Sequence, residues 1–209
     1  MALLAAASYA ARFAARLGTL PPDTFFRYST AIAAFAVDAV LILVVLLMAR
    51  GLPFRQTFAL RPPPSWGRAA LIGGATLVGA YALSIAELSL LPNLAREQSV
   101  PEYWDGTRLG AWLANLLVIA VFVPVFEEAL CRGLGYALVE PLGAPAGIAV
   151  TAIAFTLAHG VIADIPVILA TGVGLGYMRA TTGSLYPCLA LHGSFNAFGL
   201  VVAALVVPR

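Results

Sequence analysis

Phe126-Glu127-Glu128-Ala129-Leu130-Cys131-Arg132 places two carboxylates and a guanidinium inside an otherwise uncharged run from Leu109 to Val139. A charge at the centre of a bilayer costs on the order of 2.5–3.5 kcal/mol on insertion scales. Three charges so close together need compensation or a task. On a helix, Glu128 and Arg132 stand at i and i+4, share a face and can pair. Glu127 points about 100° away and has no partner in its own segment. One carboxylate is therefore left for chemistry.

The rest of the chain agrees with a membrane setting. Of 209 residues, 61% are hydrophobic and 11% charged, against about 25% charged in soluble domains. Mean hydropathy is +0.93. Several apolar runs approach the ~20 residues that cross a bilayer. The expected fold class is all-α: a polytopic transmembrane bundle of about six to eight helices. A net charge of +2 is too small to point to nucleic acid as a partner. All twelve basic residues are arginine, which reads as coding bias and fits a prokaryotic cytoplasmic membrane. Cys131 and Cys188 lie in apolar stretches and read as unpaired packing residues. The start, Met1–Leu20, lacks the basic leader of a cleaved signal peptide. Arg12 and Arg16, one helical turn apart, suggest an interfacial amphipathic helix.

In chain order, a first span is expected over Ser29–Ala49, with Asp38 facing the bundle interior. Gly51–Arg68, with its arginines and Pro62–Pro64, reads as a solvent-side loop, cytoplasmic by the positive-inside rule. A second span covers Ala69–Leu91, where Gly73, Gly74 and Gly79 allow close helix approach. Pro92–Arg108 is polar, with Tyr103 and Trp104 as interface anchors. Leu109–Val139 exceeds a single straight span. Pro124 is expected to break or kink it, leaving Glu127 in the first turn of the next segment. Further helices follow over Ala146–Ile162, Val167–Arg179 and Leu185–Val207. Gly172, Gly174 and Gly176 serve as small packing positions. The chain divides into residues 1–108, membrane helices and loops, and 109–209, a motif-bearing core, within one membrane domain.

Both histidines, His159 and His192, fall on apolar segments. Asn196 lies one turn after His192 on the same face, and lipid offers its amide no partner. These positions point to one shared polar cavity with Glu127. A carboxylate in apolar surroundings holds a proton more strongly than in water, which suits a general base. Imidazole and carboxamide N–H groups can donate to an oxyanion. Glu127, His159, His192 and Asn196 thus supply the parts for water attack on an amide. Ser194 and Cys131 flank the motifs, but nothing in the sequence sets either against a histidine.

Glu-Glu-x-x-x-Arg, Phe-x-x-x-His and His-x-x-x-Asn, in that order on apolar helices, resemble the CPBP (ABI) family. Its members are CAAX prenyl endopeptidases and bacteriocin-processing or self-immunity proteins. The resemblance covers about Leu109–Val207. It implies an intramembrane endopeptidase acting on a lipidated or transmembrane peptide within the bilayer. In that reading Glu127 activates water, His159 assists it, and His192 and Asn196 form the oxyanion hole. Glu128 and Arg132 support the site. Cys131 departs from the aromatic residue frequent before the arginine. No cofactor is expected; the alternative is Zn²⁺ on Glu127, His159 and His192 with a water in the fourth position. A non-catalytic scaffold or immunity protein, and a proton-coupled transporter, are the competing functions.

Overall fold

The computed structural model describes residues 5–10, 21–90 and 103–206, with the side chain of Leu88 excepted. Arg12, Arg16 and most of the Pro92–Arg108 connection lie outside the described residues. Six helices carry the fold. They are α1 (Tyr28–Met48), α2 (Trp66–Leu90), α3 (Gly106–Leu142), α4 (Ala144–Ala158), α5 (Ile165–Thr182) and α6 (Tyr186–Val206). Among the described residues four stretches are long and apolar enough to cross a membrane: α1, α2 over Trp66–Glu87, α3 and α6. Large apolar side chains such as Leu71, Val78 and Leu205 are more than two-thirds exposed. Together with the apolar lengths, this outer face makes the chain an integral membrane protein: an apolar side chain in contact with lipid needs no burial.

α5 is the central packing element, set between α4 and α2. Glycine makes this double approach possible. A Cβ on Gly172 would meet Ala152 at 3.2 Å, and one on Gly176 would meet Ile148 at 3.2 Å, both on α4; one on Gly174 would collide with Thr76 of α2. The same role does not extend to α2. Gly74 and Gly79 have nothing within 4 Å of a built Cβ, so only Gly73, near Met178 and Leu191, faces a helix.

Pro124 does not end a helix, so of the expected break or kink the break does not occur. α3 runs unbroken for 37 residues because two stretches of wider π winding, Val118–Phe122 and Ala129–Gly135, absorb the irregularity. Between them lies the short α segment Val123–Glu128, so Glu127 sits near its end and not in its first turn.

The arginine-rich loop is also more than a solvent loop. Residues 51–65 include the one-turn helix Phe54–Thr57. Phe58 behind it is 3% exposed and packs with Val45, Leu130 and Leu134 in a core shared by α1 and α3. Arg61 Nε donates to the Gly183 carbonyl at 2.7 Å, tying this loop to the α5–α6 turn.

At the opposite end of α1, aromatic and charged groups meet. Phe26 stacks on Tyr103 and lies 5.9 Å from Trp104. Arg108 donates to Asp105 at 2.6 Å, Asp23 at 3.0 Å and Tyr103 at 2.9 Å. The Arg27 hydrogen bond holds the Asp23 carboxyl below its ordinary value of 3.8. Hydrogen bonds from Thr107 and then Arg108 do the same for Asp105. A depressed carboxyl stabilises the fold above its unfolded value and loses that contribution as pH falls through the folded value. Trp104 fluorescence should therefore stay constant from pH 7 to about pH 5 and change only in stronger acid; a transition near neutrality would contradict this. Gly176→Leu should lower stability in detergent by about 1–3 kcal/mol through overpacking. Gly74→Leu, with open space at its Cβ, should leave the thermal midpoint nearly unchanged.

Candidate active site

α3 supplies the acids. Arg132 Nη1 donates to Glu128 Oε1 at 2.9 Å, and both side chains are fully buried. Such a pair needs further hydrogen bonds away from water, and this one has some of them, with Glu128 Oε2 and Arg132 Nε left unbonded. Arg132 Nη2 donates to the Gly172 carbonyl of α5 at 2.9 Å. The guanidinium carbon lies 4.5 Å from the centre of the Phe155 ring on α4, a cation–π contact. The close α4–α5 approach permitted by Gly172 therefore also sets the distance at which Arg132 is clamped.

α6 supplies an imidazole between the two glutamates. His192 Nδ1 lies 2.9 Å from Glu128 Oε1, and His192 Nε2 lies 3.4 Å from Glu127 Oε2. Glu128 is ionised by its pairing with Arg132 and can only accept, so Nδ1–H is the donor. His192 Nε2 is left facing Glu127. Glu127 keeps some access, its side chain being 22% exposed. Its Oε2 is nevertheless enclosed and makes no hydrogen bond, an atom of the kind that ordered water serves in folded proteins.

His159 stands just past the last turn of α4 instead of within a span. Its Nδ1 is 2.8 Å from the Phe155 carbonyl. A carbonyl only accepts, so Nδ1 carries the hydrogen and Nε2 presents a lone pair. Both imidazoles pack edge-on against the Phe155 ring, with centroids at 4.6 Å for His159 and 5.6 Å for His192. The imidazole that pairs with Glu127 is His192; among the described residues His159 makes no ion pair with it.

Asn196 has a task that proline creates. In the π turn before Pro124, Val123 N–H bonds the carbonyl five residues back, Val118. The same spacing pairs Pro124 with Ile119, and proline has no N–H. Asn196 Nδ2 donates to that Ile119 carbonyl at 2.9 Å. One amide hydrogen is thereby engaged and the other is left over. The second π stretch is treated likewise: the Arg132 carbonyl accepts from Arg179 Nε at 2.9 Å.

Cys131 and Cys188 are buried free thiols, as the sequence suggests. Sequence reasoning missed the double engagement of His192, the carbonyl that Asn196 serves and the Arg179 contact. The Pro124-to-Asn196 connection had a signal, since a proline within a span implies an unmet carbonyl. Arg179, at the expected end of a helix, carries no such signal. Among the described residues no three His, Cys, Asp or Glu side chains stand together as a metal-ligand set. Glu127, His159 and His192 as placed do not fit the zinc alternative.

Residues 109–198 match the family model described as type II CAAX prenyl endopeptidase Rce1-like. No curated protein and no solved structure matches the chain. The matched stretch contains α3, α4, α5 and most of α6, and with them every residue of the site just described. The match supports a CPBP-family domain over these residues and, for the kind of function, a CAAX-type intramembrane protease.

Arg132→Met should cost roughly 3–5 kcal/mol, because Glu128 is left charged, buried and unpaired. Adding Glu128→Gln to that variant should recover a large part of the loss. Thermal unfolding of the three proteins in detergent measures both; an additive double variant would contradict the pairing.

Proposed function

We propose, from the Rce1-like domain at residues 109–198, that the chain is an intramembrane endopeptidase. It hydrolyses a peptide bond of a lipidated or transmembrane peptide with activated water. The observation that carries the proposal is the buried, unbonded Glu127 Oε2 facing His192 Nε2. Glu128 Oε2 is also unbonded, but its side chain is fully buried, whereas the Glu127 side chain is 22% exposed, so water can reach its open position.

In this reading His192 carries a proton on Nε2 as well as on Nδ1 in the resting site. Glu127 is then a carboxylate and accepts a proton from the attacking water. The water oxygen bonds to the carbonyl carbon. His192 Nε2–H and the second amide hydrogen of Asn196 donate to the oxyanion that forms. His159, through its Nε2 lone pair, helps to orient the water. As the C–N bond breaks, Glu127 passes its proton to the leaving nitrogen. Glu128, accepting from Nδ1–H, fixes the ring orientation of His192 and stabilises its positive charge, and Arg132 holds Glu128. All bonds made and broken belong to water, substrate and these side chains, and the mechanism is proposed as metal-independent. The bilayer is the partner that delivers substrate. The lysine-free composition favours a prokaryotic cytoplasmic membrane, where bacteriocin-like or signalling peptides are candidate substrates.

The test is cleavage of a fluorogenic lipidated peptide by purified protein in nanodiscs. Glu127→Gln should lower kcat by about 10²–10⁴-fold with peptide binding retained, and a chelator should leave the wild-type rate unchanged. Wild-type turnover by Glu127→Gln, or activity abolished by chelator and restored by zinc, would overturn the proposal.

A further inference from the structure

An open groove of about 610 Å³ runs along α1. Ser29, Ala33 and Val37 form one wall row and Thr30, Ala34 and Asp38 the next, each four residues apart, so all face the same way. Pro21, Thr24 and Arg27 stand at the outer end, among the polar and aromatic groups around Asp23 and Arg108. Val123 of α3 lines the groove as well, and Glu127 is the next residue down that face of α3. The groove therefore leads from the interfacial end of α1 towards the candidate catalytic carboxylate.

Asp38 is the one acid on this lining. It is 7% exposed, and its Oδ2 is enclosed without a hydrogen bond. Among the described residues it forms no ion pair, and its nearest charged influence is another carboxylate, Glu127. Arg27 at the mouth does not neutralise it, being bound to Asp23 at 2.6 Å. A buried carboxyl at membrane depth with no cation beside it is a place where an arriving cation gains a counter-ion, and its arrival favours the ionised form.

We propose that Asp38 is an ammonium-binding group at the inner end of this groove, whose occupant is an apolar peptide segment carrying one positive charge next to Glu127. The assignment rests on the peptidase reading for one of two sources of that charge. Peptide hydrolysis converts an amide and water into a carboxylate and an amine. The proton of the new carboxylic acid ends on the amine, so the released fragment leaves with an ammonium terminus. In low dielectric that ammonium needs a counter-ion, and Asp38 offers one beside the site where it forms. The second source is a basic side chain of the intact substrate.

Direct binding to the full chain in nanodiscs tests this without turnover. The probes are Leu-Ala-Leu-amide with a free amino terminus, its N-acetyl form, and N-acetyl-Lys-Ala-Leu-amide. At least one cationic probe should bind ten-fold or more tightly than the neutral one. Asp38→Asn should bring all three to the same affinity, while Asp38→Glu should keep the preference. A preference for the free amine alone assigns the released terminus; a preference for lysine alone assigns a side chain. Equal or absent binding by the wild type, or a preference that survives Asp38→Asn, overturns the proposal. Ammonium preference in a protein that cleaves no peptide would support the subsite and count against the peptidase reading. Cleavage without the preference would do the reverse.

Discussion

A guanidinium sealed from water inside an apolar bundle must find both a counter-charge and hydrogen-bond acceptors, and the arrangement around Arg132 follows from that need. Glu128 supplies the charge at 2.9 Å, the Gly172 carbonyl accepts a second bond, and the Phe155 face covers the ion. These contacts join α3, α4 and α5 at one point. They also fix Glu128 as an ionised acceptor, and this sets His192, from α6, with its other nitrogen towards Glu127. Arg132, Glu128 and His192 are thus successive links of one chain of hydrogen bonds, which leaves His192 Nε2 facing Glu127. A pair of this kind contributes little net stability compared with apolar packing. Its worth here lies in orientation.

The long third helix shows how backbone irregularity is used. π winding and proline each leave carbonyls without their helical donors. In lipid such groups cannot turn to water. The chain answers with side chains from other helices: Asn196 on the Ile119 carbonyl and Arg179 on the Arg132 carbonyl. The short α segment bearing both glutamates lies between the two irregular stretches. Each is tied to a neighbouring helix by the donor that completes it, so the position of Glu127 is defined from both ends.

Much of this was legible in the residues. Spans of apolar length gave α1, α2 and α6 within a few residues of their observed ends, and the spacing of Glu128 and Arg132 predicted their pairing. The small residues of α5 announced its close contacts. Other features depended on tertiary placement. Periodicity cannot say which of two imidazoles meets Glu127, because that depends on helix rotation and on what holds each ring. Proline suggests a break or a kink, and the π turn beside it keeps the helix continuous. Asp38 read as an acid facing the interior; that it lines a groove beside Glu127 is decided by the packing of α1 on α3. The loop at Phe58 read as polar from its arginines, yet its aromatic residue fills the core between those two helices.

The ring orientation of His192 is the claim from which the rest follows, and ¹⁵N NMR of the imidazoles measures it directly. The chain has two histidines, so a His159→Gln sample leaves His192 alone in the spectrum. The account predicts a protonated Nδ1 in strong hydrogen bond to Glu128, and an Nε2 whose shift moves when Glu127 is replaced by glutamine. A His192 with an unprotonated Nδ1, or an Nε2 indifferent to that replacement, would contradict it.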